Sequence, residues 1–423
     1  MSDHQVRAAL VLAAGPSQHA DSQRPKPLHR VGGVTLLERC VRVLRKAGIE
    51  RIVAVLGYQA EQVRAAIEKR RLPVEVVVNH DWETGSASSV LTGLSVIDDQ
   101  RCLVVPVDHI FDADDVRRLI HIPTGNVAAV DRSGRPADSQ SRVQLNTDGS
   151  VACLGTDLSE YDAVDAGLSV VEVQDVLAVT YRAESWLDVR QQLLAHGYLM
   201  QSEDVNGLWA DVDTPEAVRN LERSLWRRHG RKPTDGVIAR VVNRHISGPL
   251  TRLLLHTRIT PDVATVLAFL VTLVAAGLVA TGSTWLMVAG GLGVVLGSAL
   301  DGVDGEIARI SATASRHGAA LDTLLDRYAD LAVVLALVLA AGATTSVWAW
   351  GFAAAAGCLL VSYIHAVGRD TDVRLLFRRE VRLLIFAAGA IAGVPLWGLA
   401  AVAVAANLDA ARGVVLLLRA MRD

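Results

Sequence analysis

The segment Ser298–Leu331 reads SALDGVDGEIARISATASRHGAALDTLLDRYADL and contains five aspartates, one glutamate and three arginines. Apolar runs long enough to cross a membrane lie on both sides of it. Charged side chains at membrane depth are costly and are usually functional. This concentration of acidic residues therefore calls for a chemical explanation.

The aspartates of this segment recur at helical spacing. Asp301 and Asp304 are three residues apart, and Asp322 and Asp326 are four apart, across a short basic loop. Each pair lies on one face of its helix, so two helices can direct four carboxylates at one another. Their repulsion favours bound divalent cations, and oxygen-only ligands in a phosphate context predict Mg²⁺ or Mn²⁺. For any single aspartate, an interfacial charge that anchors a helix end is the better interpretation.

The whole pattern, D-x-x-D-G-x-x-A-R-x8-G-x3-D-x3-D, resembles the signature of the CDP-alcohol phosphotransferase family. Eight fixed positions match: Asp301, Asp304, Gly305, Ala308, Arg309, Gly318, Asp322 and Asp326. The resemblance covers about residues 235–423. It implies that a hydroxyl attacks a CDP-alcohol and that CMP leaves.

The resemblance also implies residue roles and two metal ions. Asp301, Asp304 and Asp322 would be the main metal ligands. Asp326 would complete the metal site and accept the proton of the attacking hydroxyl. The CDP moiety is expected at five residues: Gly305, Ala308, Arg309, Ser315 and Gly318.

A second basic stretch, DVRLLFRREVR (372–382), is a candidate site for a phosphorylated acceptor, because arginine binds phosphate in a bidentate manner. The candidate residues are Arg374, Arg378 and Arg379, with Arg382 expected near the same helix face. Anchoring to the membrane surface and contact with lipid headgroups explain this stretch equally well.

Six apolar segments predict an all-α polytopic membrane domain with six transmembrane helices. They are 261–281, 285–308, 319–342, 346–367, 380–396 and 397–418. All loop Lys and Arg residues fall on one side, which the positive-inside rule makes cytoplasmic, together with the C-terminus and the active site. The segment 235–262 has apolar and basic residues at helical spacing. It predicts an interfacial helix at the membrane surface, with an ordinary linker helix as the alternative.

The N-terminal half alternates apolar strands with amphipathic helices, as in a Rossmann-like α/β domain with a mainly parallel sheet. Its strands include ALVLAAG, RIVAVLG, VEVVVN and CLVVPVD. Ligands of such sheets bind at the carboxyl ends of strands, where Gly15 and Asp108 fall. We expect this half to stay in the cytoplasm, because the N-terminus does not read as a signal peptide and the four cysteines are scattered.

Five motifs of this half resemble the MobA-like nucleotidyltransferase family: LAAG (12–15), PKPL (25–28), GSASSVLTG (85–93), VDHIF (107–111) and DVDTPE (211–216). Within that family the chain is most similar to inositol-1-phosphate cytidylyltransferases. The resemblance places Gly15 in the nucleotide loop and Lys26 on the nucleotide phosphates. It implies that Asp108 and Asp213 hold Mg²⁺, with Asp211 as a helper.

Two positions depart from the family pattern. The loop after Gly15 continues Pro16, Ser17, Gln18 and His19, and so lacks the usual second glycine and arginine. Thr156 stands where the family has lysine. Each lost charge-assisted contact is worth roughly 1.5–3 kcal/mol, although Arg24 could replace one. We therefore expect the domain to be an active nucleotidyltransferase, a slow one, or an inactive domain that serves as a docking scaffold.

The expected organisation is a nucleotidyltransferase domain (1–225), a linker with the interfacial helix (226–259) and a phosphotransferase membrane domain (260–423). This fusion resembles the bifunctional family that makes di-myo-inositol phosphate phosphate from CTP and inositol 1-phosphate through CDP-inositol. The resemblance implies a homodimer, and no nucleic acid partner is expected.

Two other functions are compatible with parts of the sequence. One is a CDP-alcohol phosphotransferase of phospholipid synthesis with a degenerate N-terminal domain. The other is a transporter with an intramembrane ion relay. The transporter is disfavoured, because the acids cluster at the cytoplasmic end and the two halves show no internal repeat.

Overall fold

The structure is a computed structural model that describes residues 6–16, 24–134, 140–180, 183–229, 244–255, 257, 259–368, 371 and 373–421. It divides into two compact units, Met1–Leu225 and Trp226–Asp423. Ser17, Gln18 and His19, and part of the predicted interfacial helix, lie outside the described residues.

The first unit is built from strands and short helices. Its strands are β1 Ala8–Ala13, β2 Arg30–Val31, β3 Val34–Thr35, β4 Arg51–Leu56, β5 Glu75–Val78, β6 Arg101–Pro106, β7 His109–Ile110, β8 Asn126–Asp131, β9 Arg142–Leu145, β10 Val151–Gly155, β11 Ala163–Glu172, β12 Met200–Asp204 and β13 Ala210–Asp211. Its α-helices are α1 Leu36–Ala47, α2 Ala60–Arg70, α3 Ser86–Leu94, α4 Ala113–His121, α5 Val173–Val179, α6 Trp186–Ala195 and α7 Pro215–His229, which continues past the unit boundary. Two 3₁₀ helices lie at Lys26–Leu28 and Trp82–Thr84.

Nine strands form one sheet in the order β10-β9-β11-β6-β1-β4-β5, with β8 paired to β11 and β12 paired to β8. Its centre is parallel: β1 pairs with β4 and β6, and β4 pairs with β5. Strands covered on both faces need continuous apolar runs, which β1 and β6 have. Leu12 lies opposite Pro106, so the carboxyl ends of β1 and β6 meet at one edge. The predicted α/β fold is confirmed, and this edge carries Gly15 and Asp108.

The second unit consists of helices: α8 Arg244–Leu255, α9 Pro261–Ala280, α10 Thr284–Ile310, α11 Arg316–Ala340, α12 Thr345–Val367, α13 Arg379–Ile391 and α14 Pro395–Ala420. Within it, α9 and α10 approach closely at glycines. A Cβ at Gly290 would lie 2.6 Å from the carbonyl oxygen of Ala275, and one at Gly297 would clash with Thr272. Small residues that let backbones approach are typical of helix packing in membranes.

Four described helices are long and apolar enough to span a membrane, namely α9, α10, α12 and α14. The segment 316–330 of α11 carries Asp322, Asp326, Arg327 and Asp330, which lowers the hydropathy of the helix. Helix α13 has 13 residues and is therefore about 20 Å long. The predicted fifth span, 380–396, ends early because Pro395 begins α14. The count of six spans stays a prediction.

Large apolar side chains point outward from these helices. Trp285 is 84% exposed in the first turn of α10, and Trp397 is 73% exposed in the first turn of α14. Tryptophans at helix ends are typical of the membrane–water boundary.

Helix α8 covers most of the described part of the predicted interfacial helix and packs against α10. The hydroxyl of Ser247 donates to Glu306 Oε1 at 2.7 Å, and both residues are buried. This contact gives Glu306 a structural explanation that the sequence pattern did not supply. The location of α8 at a membrane surface stays a prediction.

The close approach of α9 and α10 predicts that Gly290→Ala lowers the thermal unfolding midpoint of the full chain in detergent. The added methyl group would meet the α9 backbone, and overpacking costs about 1–3 kcal/mol. Gly277→Ala is the matched control, because a Cβ there has nothing within 4 Å. Equal midpoints for the two variants would contradict the packing.

Candidate active sites

The second unit brings three carboxylates together at the centre of the quoted segment. Asp301 comes from α10, and Asp322 and Asp326 come from α11. One oxygen from each lies within 4.8 Å of the others. This is the facing arrangement that the helical spacing predicted, and a carboxylate-only donor set suits a hard divalent cation.

Asp304 is outside this group of three. Its buried carboxylate accepts hydrogen bonds from the hydroxyl of Thr265 on α9 and from the backbone N–H of Gly305. The structure thus places Asp304 one helical turn from Asp301, with its oxygens partly engaged by neighbours.

The remaining motif residues have clear local surroundings. A Cβ at Gly305 would lie 2.9 Å from Arg309 Nη1, so glycine leaves room for the guanidinium. Ser315 is the N-cap of α11, where its hydroxyl accepts from the N–H of Gly318 at 3.0 Å. Ala308 is half-buried on α10. Ser315 therefore caps the N-terminus of α11.

The arginines after α12 are arranged differently from the expectation. Arg374 and Arg378 precede α13, which begins at Arg379, so the predicted single helix face for these arginines is wrong. Arg374 is exposed, whereas Arg382 is buried and pairs with Asp330 at 3.3 Å. Arg378 is the N-cap of α13 and has an extended backbone, so the helical repeat does not include Arg378 or Arg374.

Arg379 lies inside the carboxylate group. Its Nη1 is 2.9 Å from Asp301 Oδ2 and 2.7 Å from Asp326 Oδ1, and its Nε is 3.0 Å from Asp330 Oδ1. Arg327 also contacts Asp326 at 3.3 Å. A cavity of about 10 Å³ remains beside Asp301, Asp326 and Arg379, which is space for about one water molecule.

Two residues of this region were not predicted from the sequence. Asp330 pairs with Arg327, Arg379 and Arg382, and its only sequence signal is a position one turn after Asp326. Asp409 on α14 accepts the backbone N–H groups of Leu376 and Phe377, both at 2.8 Å. Asp409 thereby holds the chain that leads into α13.

The first unit has its own group of charged residues at the carboxyl edge of the sheet. Strand β7 pairs with β13, which sets Asp211 opposite His109. Ligand atoms of Asp108, His109 and Asp211 lie within 4.8 Å of one another. Lys26, in the 3₁₀ helix, contacts Asp108 and lies 2.5 Å from Asp213. Lys26, Asp108 and Asp213, which the motifs predicted as site residues, therefore meet in the structure.

The electrostatics of this group favour charged forms for most members. Burial alone would lower the pKa of His109, but Asp108 beside it raises that pKa to about 9. Burial opposes ionisation of Asp108 as well, yet His109 and Lys26 hold its pKa well below the usual range. Burial raises the pKa of Asp211 to about 6, despite His109 nearby. Carboxylates, imidazole and an ammonium group thus form one coupled site.

Pro16 and Thr156, the described residues at which the chain departs from the nucleotidyltransferase pattern, are exposed. Gly15 and Pro16 follow β1, and nothing lies within 4 Å of a Cβ built at Gly15. Thr156 is exposed after β10 and hydrogen-bonds to Asp157 at 3.3 Å. Arg24 is also exposed, and its carbonyl contacts the ring of His29 at 3.1 Å.

Two known families match this chain, one over each of the two units that carry the charged groups. The MobA-like NTP transferase domain matches residues 9–198, and the CDP-alcohol phosphatidyltransferase family matches residues 258–408. A "Bifunctional IPC transferase and DIPP synthase" of Rubrobacter xylanophilus is 39% identical over 85% of this chain and 83% of its own length. The chain belongs to this bifunctional family. The family member of Thermococcus kodakarensis is 31% identical over 84% of this chain and 81% of its own length.

Among solved structures, the inositol-1-phosphate CTP transferase from T. maritima aligns with 53% of this chain and 98% of its own, at 21% identity and a TM-score of 0.47.

Membership of the bifunctional family confirms both resemblances predicted from the sequence. The chain is an enzyme that combines a nucleotidyltransferase domain with a CDP-alcohol phosphotransferase domain. The four apolar helices together with the second domain indicate a membrane-embedded C-terminal region.

The raised pKa of His109 predicts a pH-dependent stability difference between the wild type and His109→Gln. The stabilisation by His109 is fully present below its unfolded value near pH 6.5 and is lost as pH rises through about 9. The variant should therefore melt a few degrees lower at pH 6 and no lower at pH 10, in buffer with chelator. His196→Gln, on the exposed end of α6, is the control. A constant difference across this range would contradict the His109–Asp108 pairing.

Proposed function

We propose that the chain makes a CDP-alcohol and then consumes it. In the first reaction a phosphate oxygen of inositol 1-phosphate attacks the α-phosphorus of CTP, the bond to the β-phosphate breaks and pyrophosphate leaves. In the second, a hydroxyl of another inositol 1-phosphate attacks the β-phosphorus of CDP-inositol and CMP leaves. The product is a phosphodiester that joins two inositols and retains one terminal phosphate.

The observation that carries this proposal is the carboxylate group of Asp301, Asp322 and Asp326, built at the spacing of the phosphotransferase signature. Names of relatives similar over most of the chain support inositol phosphate as the substrate class.

In the first unit, Lys26 would neutralise the phosphates of CTP beside the backbone at Gly15. Asp108 and Asp213 would hold Mg²⁺, with Asp211 close by. The contacts of Lys26 with both aspartates support this assignment, because a metal site and a phosphate-binding cation must adjoin. Protonated His109 adds a positive charge to a site that lacks the usual arginine and lysine.

In the membrane unit, Asp301, Asp304, Asp322 and Asp326 would hold two Mg²⁺ or Mn²⁺ ions, which neutralise the pyrophosphate when bound. Asp326 would accept the proton of the attacking hydroxyl. The CDP moiety would lie along Gly305, Ala308, Arg309, Ser315 and Gly318.

The acceptor phosphate would be bound by Arg374, Arg378 and Arg379. The guanidinium of Arg379 lies within 3 Å of Asp301 and Asp326.

The proposed setting is the cell membrane, crossed several times by residues 260–423, with residues 1–225, the C-terminus and both sites at the cytoplasmic face. Residues 226–259 would be a linker and interfacial helix. A homodimer is proposed from the family resemblance.

A second candidate is a phosphotransferase of phospholipid synthesis whose first domain is inactive. Thr156 favours this candidate, because it is exposed and uncharged at a position where the nucleotidyltransferase family has lysine.

Product analysis on the full chain in detergent separates the two candidates. With CTP, inositol 1-phosphate and Mg²⁺, the proposal expects both pyrophosphate and CMP. Asp108→Asn should abolish pyrophosphate release yet leave CMP release from supplied CDP-inositol. No pyrophosphate from the wild type, with CDP-inositol still consumed, would reject an active first domain.

The proton-accepting role of Asp326 predicts that Asp326→Asn lowers CMP release by about 10²–10⁴-fold while retaining more cation affinity than Asp322→Asn. Both residues lie on one face of α11 and in the same group, so the two variants are matched. Cation affinity is measured by calorimetry and CMP by chromatography. Equal loss of cation binding in both variants would leave no separate base role for Asp326.

A further inference from the structure

The structure assigns Arg379 as a built-in counter-ion of the carboxylate group, held in place by Asp330, that sets how tightly the group binds a divalent cation. The inference rests on the proposed function only in taking Asp301, Asp322 and Asp326 as a cation site. It concerns a pair of residues outside the family signature.

The guanidinium of Arg379 contacts the carboxylate group with one nitrogen and Asp330 with another. Its Nη1 contacts Asp301 and Asp326, while its Nε, a different nitrogen of the same planar group, contacts Asp330. One positive charge therefore serves two of the three grouped carboxylates. A divalent cation attracted to the same oxygens competes with that guanidinium and is repelled by it.

Asp330 holds Arg379 in position and is not one of the grouped carboxylates. Its side chain is 3% exposed and accepts from Arg379 at 3.0 Å and from Arg382 at 3.3 Å, with Arg327 at 3.6 Å. Arg382 is itself 2% exposed on the next turn of α13. A buried carboxylate with three guanidinium partners has little freedom, so it holds Arg379 in one position.

Asp330 also weakens the competition between Arg379 and a divalent cation for the oxygens of Asp301 and Asp326. While Asp330 binds Nε, part of the charge of Arg379 is neutralised on the side away from the carboxylate group. If Asp330 were neutral, the guanidinium would interact more strongly with Asp301 and Asp326. Asp330 is therefore a positioning residue that tunes the cation affinity through Arg379.

Calorimetric titration of the full chain with Mn²⁺ in detergent tests this inference. The membrane-site isotherm is the Mn²⁺ binding signal that the wild type shows and Asp322→Asn lacks. Arg379→Gln should tighten that isotherm by about tenfold or more, because a positive charge close to the bound cation is removed. Arg379→Lys should stay near the wild type. Arg316→Gln removes the same charge from an exposed position on α11 and should change nothing.

Asp330→Asn should weaken Mn²⁺ binding several-fold, and this effect should vanish in the Arg379→Gln background. An Asp330 effect that persists there would show that Asp330 acts as a remote charge and would overturn its positioning role. Arg379→Gln should also lower the thermal unfolding midpoint in chelator more than Arg316→Gln does. This readout stands even if Asp330→Asn fails to fold.

The outcomes separate the inference from the proposed function. If Asp322→Asn leaves all Mn²⁺ binding intact, the cation site itself is wrong and the inference fails with it. If Asp322→Asn removes binding but Arg379→Gln does not tighten it, the counter-ion role alone is overturned.

Discussion

Repulsion between the carboxylates that α10 and α11 bring together is the constraint on which the membrane unit depends. Asp301, Asp322 and Asp326 can stay within 4.8 Å of one another only if positive charge or hydrogen-bond donors reach them. Helix α13 supplies Arg379, and α9 supplies Thr265 for the neighbouring Asp304. The glycines of α10 allow α9 to come close enough for that contact. Four helices thus contribute residues to one charged region.

The first unit also brings several carboxylates together, and different residues supply the positive charge there. There Asp108, Asp211 and Asp213 are balanced by Lys26 and His109 at the carboxyl edge of the sheet. Glycine is required at position 167, where φ is +83° and a Cβ would clash with the His109 ring. Both units therefore present carboxylates with cations beside them, as expected of domains that handle phosphorylated substrates.

Helical spacing, strand ends and the two family resemblances together explain why so much of both candidate sites could be predicted from the sequence. Asp322 and Asp326 are one turn apart on any α-helix, and Asp108 follows a strand whose apolar run is plain. The Asp330–Arg379 contact joins residues 49 positions apart and depends on how α13 packs against α11, so no local pattern reveals it. The His109–Asp211 pairing likewise depends on two strands of two residues each. The arginines before α13 were misplaced because helical periodicity was extended past the true helix start at Arg379.

Anomalous diffraction from crystals of the full chain grown with Mn²⁺ tests the central claim most directly. We expect an anomalous peak in the membrane unit within coordination distance of carboxylate oxygens of Asp301, Asp322 and Asp326, and its loss in Asp322→Asn. An empty carboxylate group at saturating Mn²⁺, with Arg379 still between Asp301 and Asp326, would contradict it.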